Sequence, residues 1–380
     1  MMSSQSLRVL QLGKFYPPYH GGMEIALEQL CAQLRDRVDL QVLVSGTCSE
    51  TQYDVCDGIP VRRMGRRMEI ASTSFCPGLT RAIAETPADI IHLHHPNPAA
   101  TLALLASHHP APVVVTYHSD VIRQKLLGMG FELILRRLFD RTSAIIATSP
   151  HYIESSSVLQ AYRDRCHVIP LGTDVGYFDA VDRAEVERIR NQYGPHMVLS
   201  VGRLVYYKGF QYLIEAMRKV QGQAVIIGTG ALRDELSAQA RAAGVEDRVH
   251  LLGEIEDLRP YYHACQMFVL PSVARSEAFG IVQIEAMACG KPVVNTRLDT
   301  GVPFVSRDNV TGFTVSPNDP EVLAGAINYL LNHAELRSRF GAAARQRVES
   351  RFSLPAMAEA TMHVYRRVAT ASEVLEDVTL

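Results

Sequence analysis

The stretch SEAFGIVQIEAMACGKP, residues 276–292, carries two carboxylates on one apolar helical pattern. Glu285 has Ile281, Val282, Ala288 and Cys289 three and four positions away, so it is expected on the face that a helix ordinarily buries. Burying an unpaired carboxylate costs several kcal/mol, which predicts a partner. A structural salt bridge is one such partner. A diol such as a ribose, donating its hydroxyls to the carboxylate, suits the position better, because Glu285 lies beyond the first turn where the helix dipole explains an acid. Glu277 stands just before the helix, where complementarity to the dipole is a sufficient explanation by itself. The free N–H groups of Ala278, Phe279 and Gly280 beside it also suit hydroxyls or phosphate.

In VGRLVYYKGF, residues 201–210, Arg203 and Lys208 flank a strand-to-helix turn. As a converging pair they suit a pyrophosphate, Arg203 through two-pronged hydrogen bonds and Lys208 as a point charge; taken separately they are solvated surface charges. Gly21 and Gly22 open a helix directly after the first strand pattern, and Gly228 and Gly230 end a later strand. Either turn admits a ligand close to the backbone, and either is also explained by a tight turn alone. Neither is a GxGxxG fingerprint followed by an acid after the second strand, which disfavours a dinucleotide-dependent dehydrogenase. His118 ends the strand pattern VTYH. The HLHHP cluster, residues 92–96, lacks a third ligand and H-E-x-x-H spacing, and no D-x-D occurs in the chain, so no metal is expected.

These residues sit at the ends of short apolar runs that alternate with helical patterns. Strand candidates cover residues 8–15, 40–46, 59–64, 89–95, 112–118, 143–149 and 167–172. The rhythm pauses over the polar, turn-rich residues 173–195 and restarts at 197–204, 224–230, 249–255, 267–273 and 292–296. Alternation of this kind predicts mostly parallel sheets with helices on both faces. The restart predicts two doubly wound domains, residues 1–172 and 173–354, joined by a linker. A last helix, within residues 355–380, is expected to pack back onto the first domain. Ligands of such sheets bind beyond the carboxyl ends of the strands, so two facing domains would enclose a deep cleft.

The bulk numbers exclude several classes. The 380 residues are 47% hydrophobic and 21% charged with a net charge of −2, which gives no electrostatic support for a nucleic-acid partner. Seven single cysteines without a C-x-x-C pair point to a reducing compartment rather than a disulfide framework. No apolar run approaches the roughly 20 residues of a membrane-spanning helix, and the N-terminus does not read as a signal peptide. The expected location is the cytoplasm, with contact at the inner membrane face left open.

Together, HGG at 20–22, YHSD at 117–120, GRLVYYKG at 202–209, EAFG with Glu285, and ACGKPVV at 288–294 resemble the family 4 retaining glycosyltransferases of the GT-B fold. The resemblance runs through essentially the whole chain in order. It implies an α/β fold of two Rossmann-like domains facing across a cleft, the first binding the acceptor and the second the nucleotide sugar. It implies transfer of a hexose from a nucleotide sugar to an acceptor hydroxyl, with retention at the anomeric carbon and no metal or other cofactor.

By position, Glu285 would accept bonds from the ribose. Glu277 and the amides of Ala278, Phe279 and Gly280 would hold the donor sugar, with Ile281 among the donor contacts. Arg203 and Lys208 would neutralise the diphosphate, near Gly21, Gly22, Gly228 and Gly230. His118 would touch the transferring sugar, and Glu254, Ile255 and Leu258 would line the base. Acceptor contacts are expected at Tyr19, His20, Asp120, Arg123 and Lys125. The basic run RRMGRR, residues 62–67, with Arg136 and Arg137, would meet a lipid-linked phosphorylated acceptor at a membrane surface, or is a solvated face. The chain looks most like bacterial mannosyltransferases of surface-polysaccharide synthesis, which favours GDP-mannose over UDP-glucose or UDP-N-acetylglucosamine. A sugar-nucleotide epimerase lacks the extra acid–base groups it would need. A catalytically silent nucleotide-sugar-binding subunit is the alternative outside enzymology, with Arg203, Lys208 and both glutamates all present against it.

Overall fold

The computed structural model describes residues 6–19, 21–70, 73–119 and 128–377. The chain divides into two compact units. The first comprises Met1–Thr148, Ser156–Leu171 and Leu354–Leu380, the second Ser149–Ser155 and Gly172–Ser353. The boundary expected at residue 172 placed residues 149–155 in the first domain. They belong to the second, where Ser155 Oγ donates to the Asp299 carbonyl at 3.0 Å and Arg275 stacks over the Tyr152 ring.

In the first unit the strands are β1 (Arg8–Leu12), β2 (Asp39–Ser45), β3 (Gln52–Cys56), β4 (Ile59–Met64), the hairpin β5 (Met68–Ile70) and β6 (Thr73–Phe75), β7 (Ile90–His95), β8 (Val113–Tyr117), β9 (Thr142–Ala147) and β10 (Cys166–Val168). Eight of them form one sheet in the order β10-β9-β8-β7-β1-β2-β4-β3, parallel except for the β3–β4 pair. β3 and the β5–β6 hairpin were not expected: β3 is a short edge strand whose Tyr53 and Val55 stay exposed rather than joining a buried face, and β5 and β6 have three residues each. The C-terminal helix Leu354–Asp377 packs within this unit against the helix Gly22–Leu34 and against β7 and β9.

The second unit carries β11 (Met197–Val201), β12 (Gln223–Ile227), β13 (Val249–Gly253), β14 (Met267–Leu270), β15 (Val293–Thr296) and β16 (Gly312–Val315), all parallel, in the order β13-β12-β11-β14-β15-β16. The inner strands are buried on both faces, which is why MVLSV and MFVL read as apolar runs, broken only by Ser200, whose hydroxyl donates to the Val269 carbonyl. Residues 173–195, expected as a turn-rich linker, instead hold the helices Val175–Asp179 and Arg183–Tyr193. Asp174 and Asp182 cap them, each side chain accepting a backbone N–H, so residues that looked like turn formers are helix starters.

Strand order reverses between β11 and β14, so the connections after these neighbouring strands run to opposite faces and leave a crevice. The two loops touch at Gly209, whose φ is +69° and whose added Cβ would stand 2.0 Å from the Pro271 carbonyl oxygen. Gly244 has a similar φ of +65° with nothing within 4 Å of such a Cβ. Both alanine substitutions carry the left-handed backbone penalty, about 1–2 kcal/mol. Only Gly209→Ala adds the clash, and it should lose roughly 2 kcal/mol more in urea unfolding. Equal losses would mean that the Pro271 loop yields freely.

Candidate active site

The crevice of the second unit is built on an ion pair. Lys208 closes the single turn Tyr206–Lys208 after β11, and Glu277 lies in the loop after β14. Lys208 Nζ is 2.6 Å from Glu277 Oε2, with the two residues 9% and 7% exposed. Ser272 Oγ donates to the same oxygen at 2.8 Å, so both bonds fall on Oε2, and among the described residues no donor is bound at Oε1. Lys208 is therefore not a solvated surface charge. Arg203 is exposed, with Nη2 donating to Tyr207 Oη at 3.1 Å.

Glu285 differs from expectation in its surroundings. Ile281, Val282, Glu285 and Cys289 form the half-buried face of the helix Ile281–Ala288, whereas Gln283, Ile284, Ala286, Met287 and Ala288 are its buried residues. Three of its four expected neighbours thus share its face, and only the depth of burial differs, because both faces of this helix are apolar in type. Its partner is no cation. Tyr262, fully buried, donates its hydroxyl to Glu285 Oε2 at 2.6 Å. Burial pushes the Glu285 carboxyl above the ordinary range, opposed by the Tyr262 hydrogen bond and by the charge of Lys208.

The turn Ala278–Gly280 between the two glutamates is pinned by buried polar groups that carried no recognisable motif. Gln283 Nε2 donates to the Phe279 carbonyl at 3.1 Å, and its Oε1 accepts from Asn295 Nδ2 at 2.8 Å. Asn295 Oδ1 in turn accepts from Thr314 Oγ1 at 2.8 Å. Gly280, with φ +75°, caps the helix, and Gly301 N–H holds the Ala278 carbonyl at 2.7 Å. Among the described residues the amides of Ala278, Phe279 and Gly280 donate to no group of the chain.

The other glycine turn has a structural explanation. A Cβ on Gly228 would lie 2.0 Å from the Gly202 oxygen, and one on Gly230 would lie 2.5 Å from the Leu204 oxygen. The loops after β11 and β12 therefore pack backbone to backbone. Beyond β13, Glu254 is exposed and Ile255 and Leu258 are half-buried.

In the first unit Gly21 caps the helix Gly22–Leu34 in extended conformation, and the Glu24 carboxylate of that first turn lies against it. An anion at this helix start would meet that charge. Tyr19 is exposed and stacks on Phe15 at 4.5 Å, while His20, Asp120, Arg123 and Lys125 lie outside the described residues. Within the basic run, Arg63 is paired with Asp54 and Arg66 with Glu69, and Arg62 lies over the Tyr53 ring.

His118, immediately after β8, belongs to a buried set of side chains. Its Nε2 is 3.0 Å from His94 Nδ1; His94 Nε2 is 3.0 Å from Gln11 Oε1; Gln11 Nε2 is 2.9 Å from the Tyr365 hydroxyl. That hydroxyl is 2.6 Å from His92 Nδ1, and His92 Nε2 is 2.7 Å from Thr116 Oγ1. Both ring nitrogens of His92 and of His94 are thus engaged by hydrogen-bond partners. Among the described residues no group of three histidines, cysteines or acids is placed to hold a metal ion, and no helix is long and apolar enough to cross a membrane.

Burial lowers the pKa of His92 and His118 to about 3 and that of His94 well below its usual value. The unfolded chain takes up these three protons near pH 6.5, and the folded one does not until far lower. Stability should therefore fall with pH below about 6.5, at a slope approaching about 4 kcal/mol per pH unit from these three groups. Urea midpoints between pH 7 and 5 measure the slope, and a flat profile would show that the set is charged in the folded state.

The comparisons with known proteins follow the same division. A family model described as Glycosyltransferase Family 4 matches residues 20–177, and one described as Glycosyl transferases group 1 matches residues 182–347. The O-antigen chain mannosyltransferase C of Escherichia coli is 33% identical over 370 residues, covering 94% of this chain and 98% of its own. The D-rhamnosyltransferase WbpZ of Pseudomonas aeruginosa is 32% identical, covering 91% of this chain and 92% of its own. Among solved structures, Anabaena Alr3699/HepE in complex with UDP superposes with a TM-score of 0.79 at 23% identity, covering 95% of this chain and all of that one. With family models matching both halves, a relative at this identity over nearly its whole length and this structural likeness, the chain belongs to glycosyltransferase family 4 and has the GT-B fold.

Proposed function

We propose that this glycosyltransferase moves a mannosyl residue from GDP-mannose to a hydroxyl of a glycan or polyprenyl-linked acceptor in cell-surface polysaccharide synthesis, with retention at the anomeric carbon and without a metal ion. The observation that carries the proposal is the buried Lys208–Glu277 pair at the strand-order reversal, with Glu277 Oε1 and the amides of Ala278–Gly280 unengaged by any described residue beside it. The full-length similarity to a mannosyltransferase supports the choice of sugar.

Transfer breaks the bond from the anomeric carbon to the diphosphate and forms one to the acceptor oxygen on the same face, with the acceptor proton going to the departing phosphate. Negative charge gathers on the leaving group, where Lys208 and Arg203 replace a divalent cation. Each well-placed donor of this kind is worth roughly 3 kcal/mol of barrier. Lys208 has three N–H donors and gives one to Glu277, so two remain for phosphate oxygens. Glu277 Oε1 accepts from a sugar hydroxyl, Glu285 accepts from the ribose, and Glu254, Ile255 and Leu258 border the base. In the first unit His118 is assigned to the sugar being transferred, and Tyr19, His20, Asp120, Arg123 and Lys125 to the acceptor.

A second reading is favoured by the nearly equal identity to a D-rhamnosyltransferase. D-Rhamnose is 6-deoxymannose, so the two donors differ in one hydroxyl, and the site discriminates by whether it engages that group.

Calorimetric titration of GDP, UDP and ADP against the wild type and Glu285→Ala tests the donor class. Binding of GDP alone, weakened at least roughly 10-fold in the variant, is expected from loss of charged hydrogen bonds. Preference for UDP would overturn GDP-mannose, and no binding to any of the three would bring forward a silent subunit. Release of GDP from GDP-mannose should vanish in Glu277→Ala and survive EDTA. A strict magnesium requirement would remove the metal-free mechanism.

A further inference from the structure

The buried side chains behind His118 have a direction. Gln11 sets it, because a primary amide accepts at one atom and donates at the other. Its Oε1 faces His94 Nε2, so His94 donates from Nε2 and, being neutral, keeps a lone pair on Nδ1. His118 Nε2 therefore carries the hydrogen that fills the 3.0 Å contact to His94 Nδ1. On the other side Gln11 Nε2 donates to the Tyr365 oxygen, which leaves the Tyr365 hydrogen for His92 Nδ1 and the His92 Nε2 hydrogen for Thr116 Oγ1. All five bonds run the same way, a pattern in which each bond polarises the next. Turning the Gln11 amide round would reverse every bond and place the His118 hydrogen on Nδ1 instead.

We infer that Gln11, His94 and Tyr365 are positioning residues that fix His118 as the Nε2–H tautomer, so that its Nδ1 meets the substrate as a hydrogen-bond acceptor for a sugar hydroxyl. The inference rests on the assignment of His118 to the transferring sugar. Gln11, His92 and Tyr365 are fully buried and His94 is 2% exposed, so none of them reaches solvent to change partners. Burial also keeps His118 neutral near pH 7, as an acceptor nitrogen requires. Tyr365 comes from the C-terminal helix, which links the docking of that helix to the state of a site residue far away in sequence.

Nitrogen-15 histidine labelling of the full chain reads the tautomer directly from two-bond proton–nitrogen correlations, with His118→Gln and His94→Gln identifying the signals. His118 is expected as Nε2–H in the wild type. A wild-type His118 protonated on Nδ1 would reverse the chain and overturn the inference, whatever the variants do. Gln11→Met removes the amide at similar volume. It should give His118 mixed tautomers and lower the kcat for hydrolysis of GDP-mannose, with water as acceptor, roughly 10-fold at little change in KM. Tyr365→Phe should do the same more weakly. Mixed tautomers with unchanged kcat would overturn the positioning role and the assignment of His118 to the sugar together. Failure of GDP-mannose as donor would appear in the nucleotide titration instead, without moving the His118 signals.

Discussion

The second unit is organised by the requirement that Lys208 and Glu277 be buried together. Two charges withdrawn from water lose hydration worth several kcal/mol each, and their attraction restores it only if the geometry is close and the remaining bonding positions are used. The 2.6 Å contact and the Ser272 hydroxyl meet that condition for Glu277 Oε2. The pair therefore holds the loop after β11 and the loop after β14 in one register. Gly209 lets the first loop pass against the Pro271 carbonyl, and Gly202 leaves room for the Lys208 chain, whose Cε would stand 3.0 Å from any added Cβ. A larger residue at either place would press on this pairing, against the Pro271 carbonyl at one position and the Lys208 chain at the other.

The first unit solves the same problem without ions. The side chains from His118 through Gln11 to Thr116 are neutral and satisfy one another in sequence. Such a chain tolerates a low-dielectric interior at neutral pH, but protonating any ring would strand a charge. The charged pair suits a site that must meet a diphosphate. The neutral chain suits one that must present a single lone pair in a constant direction.

Membership of a glycosyltransferase family follows from the whole chain, whereas the choice of sugar turns on one or two contacts. A mannosyl- and a rhamnosyltransferase are nearly equally similar to this protein, and their sugars differ by a single hydroxyl. Overall identity averages over hundreds of positions that serve the fold, so it cannot weigh the few that touch one oxygen.

Local periodicity and short motifs, which need no knowledge of distant contacts, carried much of the fold and part of the site. Strands with two buried faces were readable as apolar runs, and the residues just after them, Lys208 and Glu277 among them, were readable as site candidates because parallel sheets place ligands there. Helices at 175–193 and the edge strand Gln52–Cys56 were not, since a capping aspartate resembles a turn former and a short edge strand that buries neither face among polar neighbours does not stand out as an apolar run. How deeply Glu285 is buried, and its Tyr262 partner, depended on which side of an apolar helix faced the core, a choice that packing alone makes. The chain linking Gln11, His92, His94, His118 and Tyr365 could come only from the tertiary structure, because its members lie up to 354 positions apart and a hydrogen bond depends on where atoms meet in space.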